Sequence, residues 1–517
     1  MKKIMILIFA FYIAGCSKNF TEKGSLTQIA TENFWKSEQD AQLAINGIYD
    51  ALQDRALYSG NLNGTAGLTM YDCFGDNLYN NYKFEGPGNF MIGIITPSDG
   101  MFNNLWNSSY KGIARANAAI ENIDKMPTTL ISQDKKDALF AQSLFLRALF
   151  YFNLAVYFED VPLITKVQPL DDAYVAKNTY QEVNAQIIAD LNSAINKLPV
   201  SYPSTQYGYA TKGAALGLLT RVNLYNKNYQ GVLDATSTLL TLGYNLNANY
   251  AQLFTEQGEL SKEVVFSVRF NQDVSNNGEL FSGTFLGQPA VDKQPMPNMV
   301  KDYYCTDGKP ITTSPLYSPG TASNNSAQKN NRDPRCTASI YFRNDIFLTD
   351  LNRAFTTNAT TYGLKKYIRN TSVSSNGISA FSAGGQDFYV IRYADVLLMR
   401  AEALVESNQL SEVYTLVNQV RQRVSMPPVQ SVEGASLTQA QLRDVVKHER
   451  RVELAFEGLR YFDLKRWGQV QAAYSKAIAD NVSGYSPIYL PGKSEVFPIP
   501  LDELNVNSNL VQHPAWQ

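Results

Sequence analysis

Residues 211–242 read TKGAALGLLTRVNLYNKNYQGVLDATSTLLTL. Apolar residues recur at three- and four-residue spacing on either side of a short polar link, Asn226, Lys227 and Asn228. That is the signature of two amphipathic helices, 211–225 and 229–242, folded back on each other. Residues 394–424, ADVLLMRAEALVESNQLSEVYTLVNQVRQRV, repeat the arrangement. A pair of this kind has too little interior to bury its own apolar faces, so it has to stack on further pairs.

Working outward, the same periodicity predicts helices from Glu32 through Leu52, over 105–126, 136–158 and 180–198, and in two further pairs, 389–406 with 410–424 and 437–456 with 459–479. Pro127, Pro162 and Pro199 stand where three of these must stop. The helical pairs resemble tetratricopeptide units, which repeat about every 34 residues. Two stretches break the pattern. Residues 58–103 and 244–385 are rich in Gly, Asn, Ser, Tyr and Pro, with short strand-like runs such as 264–268. The predicted fold is therefore mainly α. A helical-pair scaffold (31–57, 104–243 and 386–480) carries loop-rich insertions (58–103 and 244–385) and a few short strands within one domain, 31–517.

The N-terminus is an export signal. Lys2 and Lys3 precede an apolar run, 4–14. The run is too short for the roughly 20 residues of a membrane span and suited to a signal-peptide core. It ends in Ile13, Ala14, Gly15 and Cys16, the pattern of a lipoprotein signal: 1–15 is a leader, Cys16 takes the lipid, and 16–30 is a tether. Several acyl chains make such an anchor stable where one is marginal. Three cysteines remain, Cys73, Cys305 and Cys336. Export permits a disulfide, and Cys305 with Cys336 is the expected pair because both lie in the same irregular region.

Composition excludes several functions. With 45 basic and 47 acidic residues there is no basic excess for nucleic acid. The only histidines, His448 and His513, cannot supply a histidine metal site or a serine-histidine-aspartate triad. The oxygen-rich loop 345–350 lacks the EF-hand pattern, so no metal or cofactor is predicted. Glu449, Glu453 and Glu457 share one helix face, which invites comparison with the paired carboxylates of a glycoside hydrolase. Arg450, Arg451, Arg460 and Arg466 are interleaved with them, however, and neighbouring guanidinium groups lower a carboxyl pKa, the wrong direction for a general acid. The run reads as a structural ion-pair network, as do Arg400 with Glu402 and Arg392 with Asp395. Arg147 interrupts an apolar helix and has to meet a carboxylate or backbone oxygens. The chain is not expected to be an enzyme. A Tyr count of 31 and a Phe count of 26 suit saccharide or peptide surfaces instead. Between Tyr71 and Phe90 the aromatics Tyr71, Tyr79, Tyr82 and Phe84 alternate with Asp72, Asp76, Asn77 and Asn80, the residue types that stack on sugar rings and bind their hydroxyls.

Several stretches resemble the SusD/RagB family: Asn33, Phe34 and Trp35 followed by 41–49; Trp106, Tyr110 and Asn117; Arg147 through Tyr151 to Pro162; Arg332, Asp333, Pro334 and Arg335; 393–403; most of all 449–458 with 460–468; and Phe497 to Pro500 with Trp516. One departure is Glu159 and Asp160, where the family has a glycine after the aromatic residue. The resemblance implies a lipid-anchored protein on the outer-membrane surface of Bacteroidota, without a catalytic site. It would capture oligosaccharide, or peptide in some members, and close over a SusC-like TonB-dependent β-barrel transporter. It also implies that Phe281, Phe285 and Tyr317, from the middle insertion, join the Tyr71–Phe90 aromatics at the ligand surface. The alternative is a helical scaffold that joins protein partners and binds no ligand.

Overall fold

Side-chain caps set the helix starts. In the computed structural model, which describes residues 34–60, 67–169, 172, 174–272, 277–283, 292–321, 324–372 and 383–517, Ser37 caps α1 (Glu38–Leu52) by accepting from the Asp40 N–H. Cys16, the tether and Phe285 lie outside the described residues. The following helices are α2 (Gly100–Lys125), α3 (Gln133–Phe158), α4 (Tyr180–Lys197), α5 (Lys212–Tyr225) and α6 (Tyr229–Leu239). After the middle insertion come α7 (Tyr393–Glu406), α8 (Ser411–Arg423), α9 (Gln439–Glu453), α10 (Arg460–Arg466) and α11 (Val470–Ala479). Thr179 with Glu182 and Thr438 with Gln441 form reciprocal capping boxes on α4 and α9. Each helix from α2 to α6 packs on the next, and α6 packs directly on α7 across the insertion between them. The scaffold is thus continuous in space although it is interrupted in sequence. Helix α3 is apolar enough to cross a membrane by length and composition, but it is buried along most of its length inside the protein.

The strands are short: β1 (Leu78–Asn80), β2 (Val264–Val268), β3 (Lys293–Pro295), β4 (Ile340–Tyr341), β5 (Ile346–Leu348), β6 (Arg353–Ala354), β7 (Gly363–Leu364) and β8 (Phe388–Arg392). They form antiparallel pairs β1 with β3, β2 with β8, β4 with β7 and β5 with β6. Three boundaries differ from the periodicity. The run at 388–392 is a strand leading into α7, because its aromatic and β-branched residues pair with β2. The helix predicted over 437–456 ends at Glu453, and Phe456 adopts φ 68°. The helix predicted over 459–479 divides at Gly468, with φ 65°. Glu159 ends α3 at φ 63° and ψ −91°, a conformation that favours glycine. The departure from the family pattern thus sits on a strained turn.

The charged run at 449–466 is interior. Glu453 is fully buried and receives Arg335 at 2.9 Å and both Arg392 and Arg423. Glu449 pairs with Arg335 and, at 2.9 Å, with Arg421. Arg392 reaches on to Glu263 at 2.8 Å and Glu457 at 2.7 Å. Arg450 joins Asp463 at 2.8 Å and Asp395, and Asp395 also holds Arg221 at 2.6 Å. Burial alone would raise the Glu449 and Glu453 carboxyls, but the surrounding guanidinium charges outweigh it and hold both below the usual range. The structural reading of these charges stands, although two partner assignments do not. Arg400 bonds Glu412, not Glu402, which is held by Arg466. Arg392 bonds the glutamates, not Asp395. Arg147 makes a two-pronged bond to Asp190, at 2.8 and 2.7 Å. The expected Cys305–Cys336 bridge is not formed: Cys73, Cys305 and Cys336 are buried free thiols, with Cys73 and Cys336 packed in an apolar cluster with Tyr303 and Phe342.

Removing one partner of a buried pair strands the other charge, at about 3–5 kcal/mol. Glu453→Gln is therefore expected to lower the unfolding free energy in urea by about 3 kcal/mol or more, whereas Asp50→Asn, at the exposed Arg115 pair, changes it by at most about 1 kcal/mol. Equal losses would show that the web is not structural. Glu159→Gly relieves a strained backbone and gives up two loose contacts, with Lys465 at 3.7 Å and His513 at 3.5 Å. It is expected to stabilise by about 1 kcal/mol, seen as a higher melting temperature.

Candidate functional site

The segment 67–91 begins as a packed piece of the core. A 3-10 turn, Leu68–Phe74, brings Tyr71 against Tyr157 and Phe497 and Phe74 against Phe90. Asp72 then accepts from the Phe456 N–H at 2.6 Å, the Arg460 N–H at 3.1 Å and the Asn77 amide at 3.1 Å. Asp76 accepts from Arg460 at 2.8 Å and pairs with Arg451 at 3.0 Å. Burial opposes ionisation of Asp76, but the two guanidinium charges outweigh it and hold its carboxyl well below the usual range. Asn77 also accepts from Arg451, at 3.0 Å. Strand β1 follows, paired with β3 in the register Leu78 to Pro295, Tyr79 to Gln294 and Asn80 to Lys293.

These positions correct much of the predicted ligand surface. Tyr71, Asp72, Asp76 and Asn77 are at most 1% exposed and fully engaged with the protein. Tyr79 is buried against Tyr485, with ring centroids 4.8 Å apart. Phe281 is buried among Phe270, Tyr367 and Phe388. Tyr317 is partly covered by the Arg332 guanidinium, 5.4 Å from its ring centroid. Tyr317 is nonetheless only half-buried, and within the segment 71–90 two of the predicted residues do reach solvent. The chain turns after Asn81, and the rings of Tyr82 and Phe84 stack 5.7 Å apart at an interplanar angle of 27°. Phe84 is 67% exposed and Tyr82 half-buried.

The base of this platform is braced. Asn81 donates its N–H to the Asp292 carbonyl at 2.7 Å, and Asn80 donates to the Glu85 carboxyl at 2.8 Å while accepting from the Gly88 N–H. Gly86, at φ 100°, lies against Met101 with no room for a side chain. Burial, followed by the charge of Asp292, pushes the Glu85 carboxyl up to about 7. This acidic pair was not singled out in the sequence, because Asp292 comes from the distant β3 side.

A separate hollow of about 300 Å³ opens between α1 and the loop carrying Tyr207, Gly208 and Tyr209. It too escaped the sequence reading. Its signal is the run Tyr202 to Tyr209, in which turn-forming residues alternate with tyrosines in a gap between helices.

Glu85 has an ordinary carboxyl value of 4.5 and a folded value of about 7, so the native state holds the proton more tightly. Its contribution to stability is complete below pH 4.5 and is lost as the pH rises through about 7. Glu85→Gln is expected to flatten the decline in urea midpoint across that window. An unchanged decline would mean that Glu85 does not titrate there.

Comparisons with known proteins agree with this architecture. A model described as the SusD family matches residues 262–516. A second SusD-like model, described as starch-binding associating with outer membrane, matches residues 36–224. A SusD-like protein of Formosa agariphila is 27% identical, over 100% of this chain and 99% of its own length. The crystal structure of a SusD-like carbohydrate binding protein from Bacteroides fragilis superposes with a TM-score of 0.77 at 27% identity, covering 92% of this chain and 100% of that one. A laminarin binding SusD-like protein gives a TM-score of 0.69 at 26% identity, covering 93% of this chain and 99% of that one. With the interlocking charges of 449–466 and the stacked helical pairs in place, the chain belongs to the SusD/RagB family.

Proposed function

We propose that this protein is a non-catalytic, cell-surface glycan-binding lipoprotein. In this reading Cys16 carries the lipid anchor, 16–30 is the tether, and captured oligosaccharide passes to a SusC-like TonB-dependent transporter in the outer membrane. The observation that carries the binding role is the exposed Tyr82–Phe84 stack on a braced β-turn. A hydrophobic ring pair held open to solvent is a poor use of apolar surface unless something covers it. Saccharide rings have apolar C–H faces that fit flat aromatic surfaces, and the platform's rigidity lowers the ordering cost of binding. The relatives named as carbohydrate binding and laminarin binding, and the family description as starch-binding, support the same ligand class. The non-catalytic reading is supported by the carboxylates of 449–457, which are engaged by arginine and lysine and closed off from solvent.

The test is titration calorimetry of the chain beginning after Cys16 with maltoheptaose, laminarihexaose and a peptide pool. One glycan class is expected to bind. Tyr82→Ala with Phe84→Ala is expected to weaken it about ten-fold or more. Undiminished binding by that variant would remove the platform from the site. Binding of peptides alone would replace the glycan reading, and binding of neither would favour a scaffold role.

A further inference from the structure

We infer that the hollow between α1 and the Tyr207-Gly208-Tyr209 strap is a second saccharide subsite, separate from the Tyr82–Phe84 platform and suited to one or two rings of a neutral glycan. It goes beyond the capture reading in placing recognition on residues that the platform does not share. The volume of about 300 Å³ lies at the lower edge of the range for small-ligand sites.

Three tyrosines form its aromatic walls, and each is tied at its hydroxyl. The Tyr49 hydroxyl donates to Gln142 at 3.1 Å and accepts from the Ala210 N–H at 2.7 Å. The Tyr209 hydroxyl donates to Asn46 at 2.9 Å and accepts from Gln42 at 3.2 Å. The Tyr207 hydroxyl donates to the Glu259 carbonyl. Rings fixed at their tips cannot fold into the hollow to fill it. Arg269 covers Tyr207 from beside the strap, its guanidinium 5.0 Å from the ring centroid, and donates to the Tyr207 carbonyl at 3.1 Å. The strap can lie so close only because residue 208 is glycine. Its φ is 101°, and a side chain there would strike Arg269.

Four amides, Asn46, Gln53, Gln206 and Asn277, lie among the polar groups of the lining. Gln53 and Asn277 bond each other reciprocally at 3.0 and 3.1 Å, and Gln53 also donates to the Arg269 carbonyl at 2.5 Å, which fixes both amides and, among the described residues, leaves a donor and an acceptor position on Asn277. A fixed amide presents a donor beside an acceptor, the match for adjacent sugar hydroxyls. The charges at the border are paired: Asp50 with Arg115 at 3.0 Å and Arg269 with Asp387 at 3.7 Å. Among the described residues no unpaired charge marks the hollow for an anion or a cation, which points to a neutral ligand. A second hollow of about 390 Å³ adjoins the other side of the strap, sharing Tyr207 and Tyr209 and adding Tyr202 and Tyr244. It gives a longer chain a surface on which to continue.

The experiment is saturation-transfer NMR with maltose, laminaribiose, cellobiose and N,N′-diacetylchitobiose on the Tyr82→Ala/Phe84→Ala protein. At least one disaccharide is expected to receive transfer. Adding Gln53→Ala and Tyr207→Ala is expected to reduce that signal about five-fold or more, as is Gly208→Ala alone, with urea midpoints showing that each variant folds. Absence of transfer from all four sugars to the platform-silenced protein, or transfer indifferent to the hollow substitutions in a folded protein, would overturn the proposal. Failure of the platform reading is seen separately, as undiminished binding of the long glycans by Tyr82→Ala/Phe84→Ala.

Discussion

Pairing of buried charges around Glu453 is the constraint on which the rest of the structure depends. Removing carboxylates and guanidinium groups from water is expensive, and mutual attraction repays it only where the geometry is met at every partner. Here the partners come from distant parts of the chain. Arg335 belongs to the middle insertion, Arg392 to β8, Arg421 and Arg423 to α8, and Arg221 to α5. A helix packed one turn out of register would leave several of these groups unpaired at once. The web therefore selects one arrangement of the elements more strongly than it adds net stability.

The same constraint reaches the exposed aromatics. Asp76 and Asn77 bind Arg451 and Arg460 a few residues before β1 begins, and Asp72 receives the N–H of Phe456 at its left-handed turn. The segment that displays Tyr82 and Phe84 is thus fastened at its root to the centre of the protein and along β1 to β3. The ring stack is accordingly presented by a stiff support, although its local sequence looks like loop.

Periodicity made the scaffold legible, because helix faces are written locally at three- and four-residue spacing. The family resemblance supplied the rest of the architecture. Less legible was anything decided by partners far along the chain. Asp72 and Asp76 have the composition of a sugar site, yet their partners lie 384 positions away. Tyr79 and Tyr82 look equivalent in sequence, and only the pairing of β1 with β3 distinguishes the ring packed on Tyr485 from the one that reaches solvent. Arg400 and Glu402 failed as a pair for a simpler reason: residues two apart on a helix point in different directions. Each found its partner on another turn or another helix.

The direct packing of α6 on α7, with β2 against β8 beside it, closes a narrow neck under the long middle excursion. Loop length enters closure entropy only logarithmically, so residues added or removed beyond the neck, between the points where Arg335 is fastened to Glu453 and Lys366 to Glu457, bear lightly on the helical stack. Such an architecture is modular in the evolutionary sense. A lineage can exchange what the excursion displays while inheriting the frame that carries it unaltered.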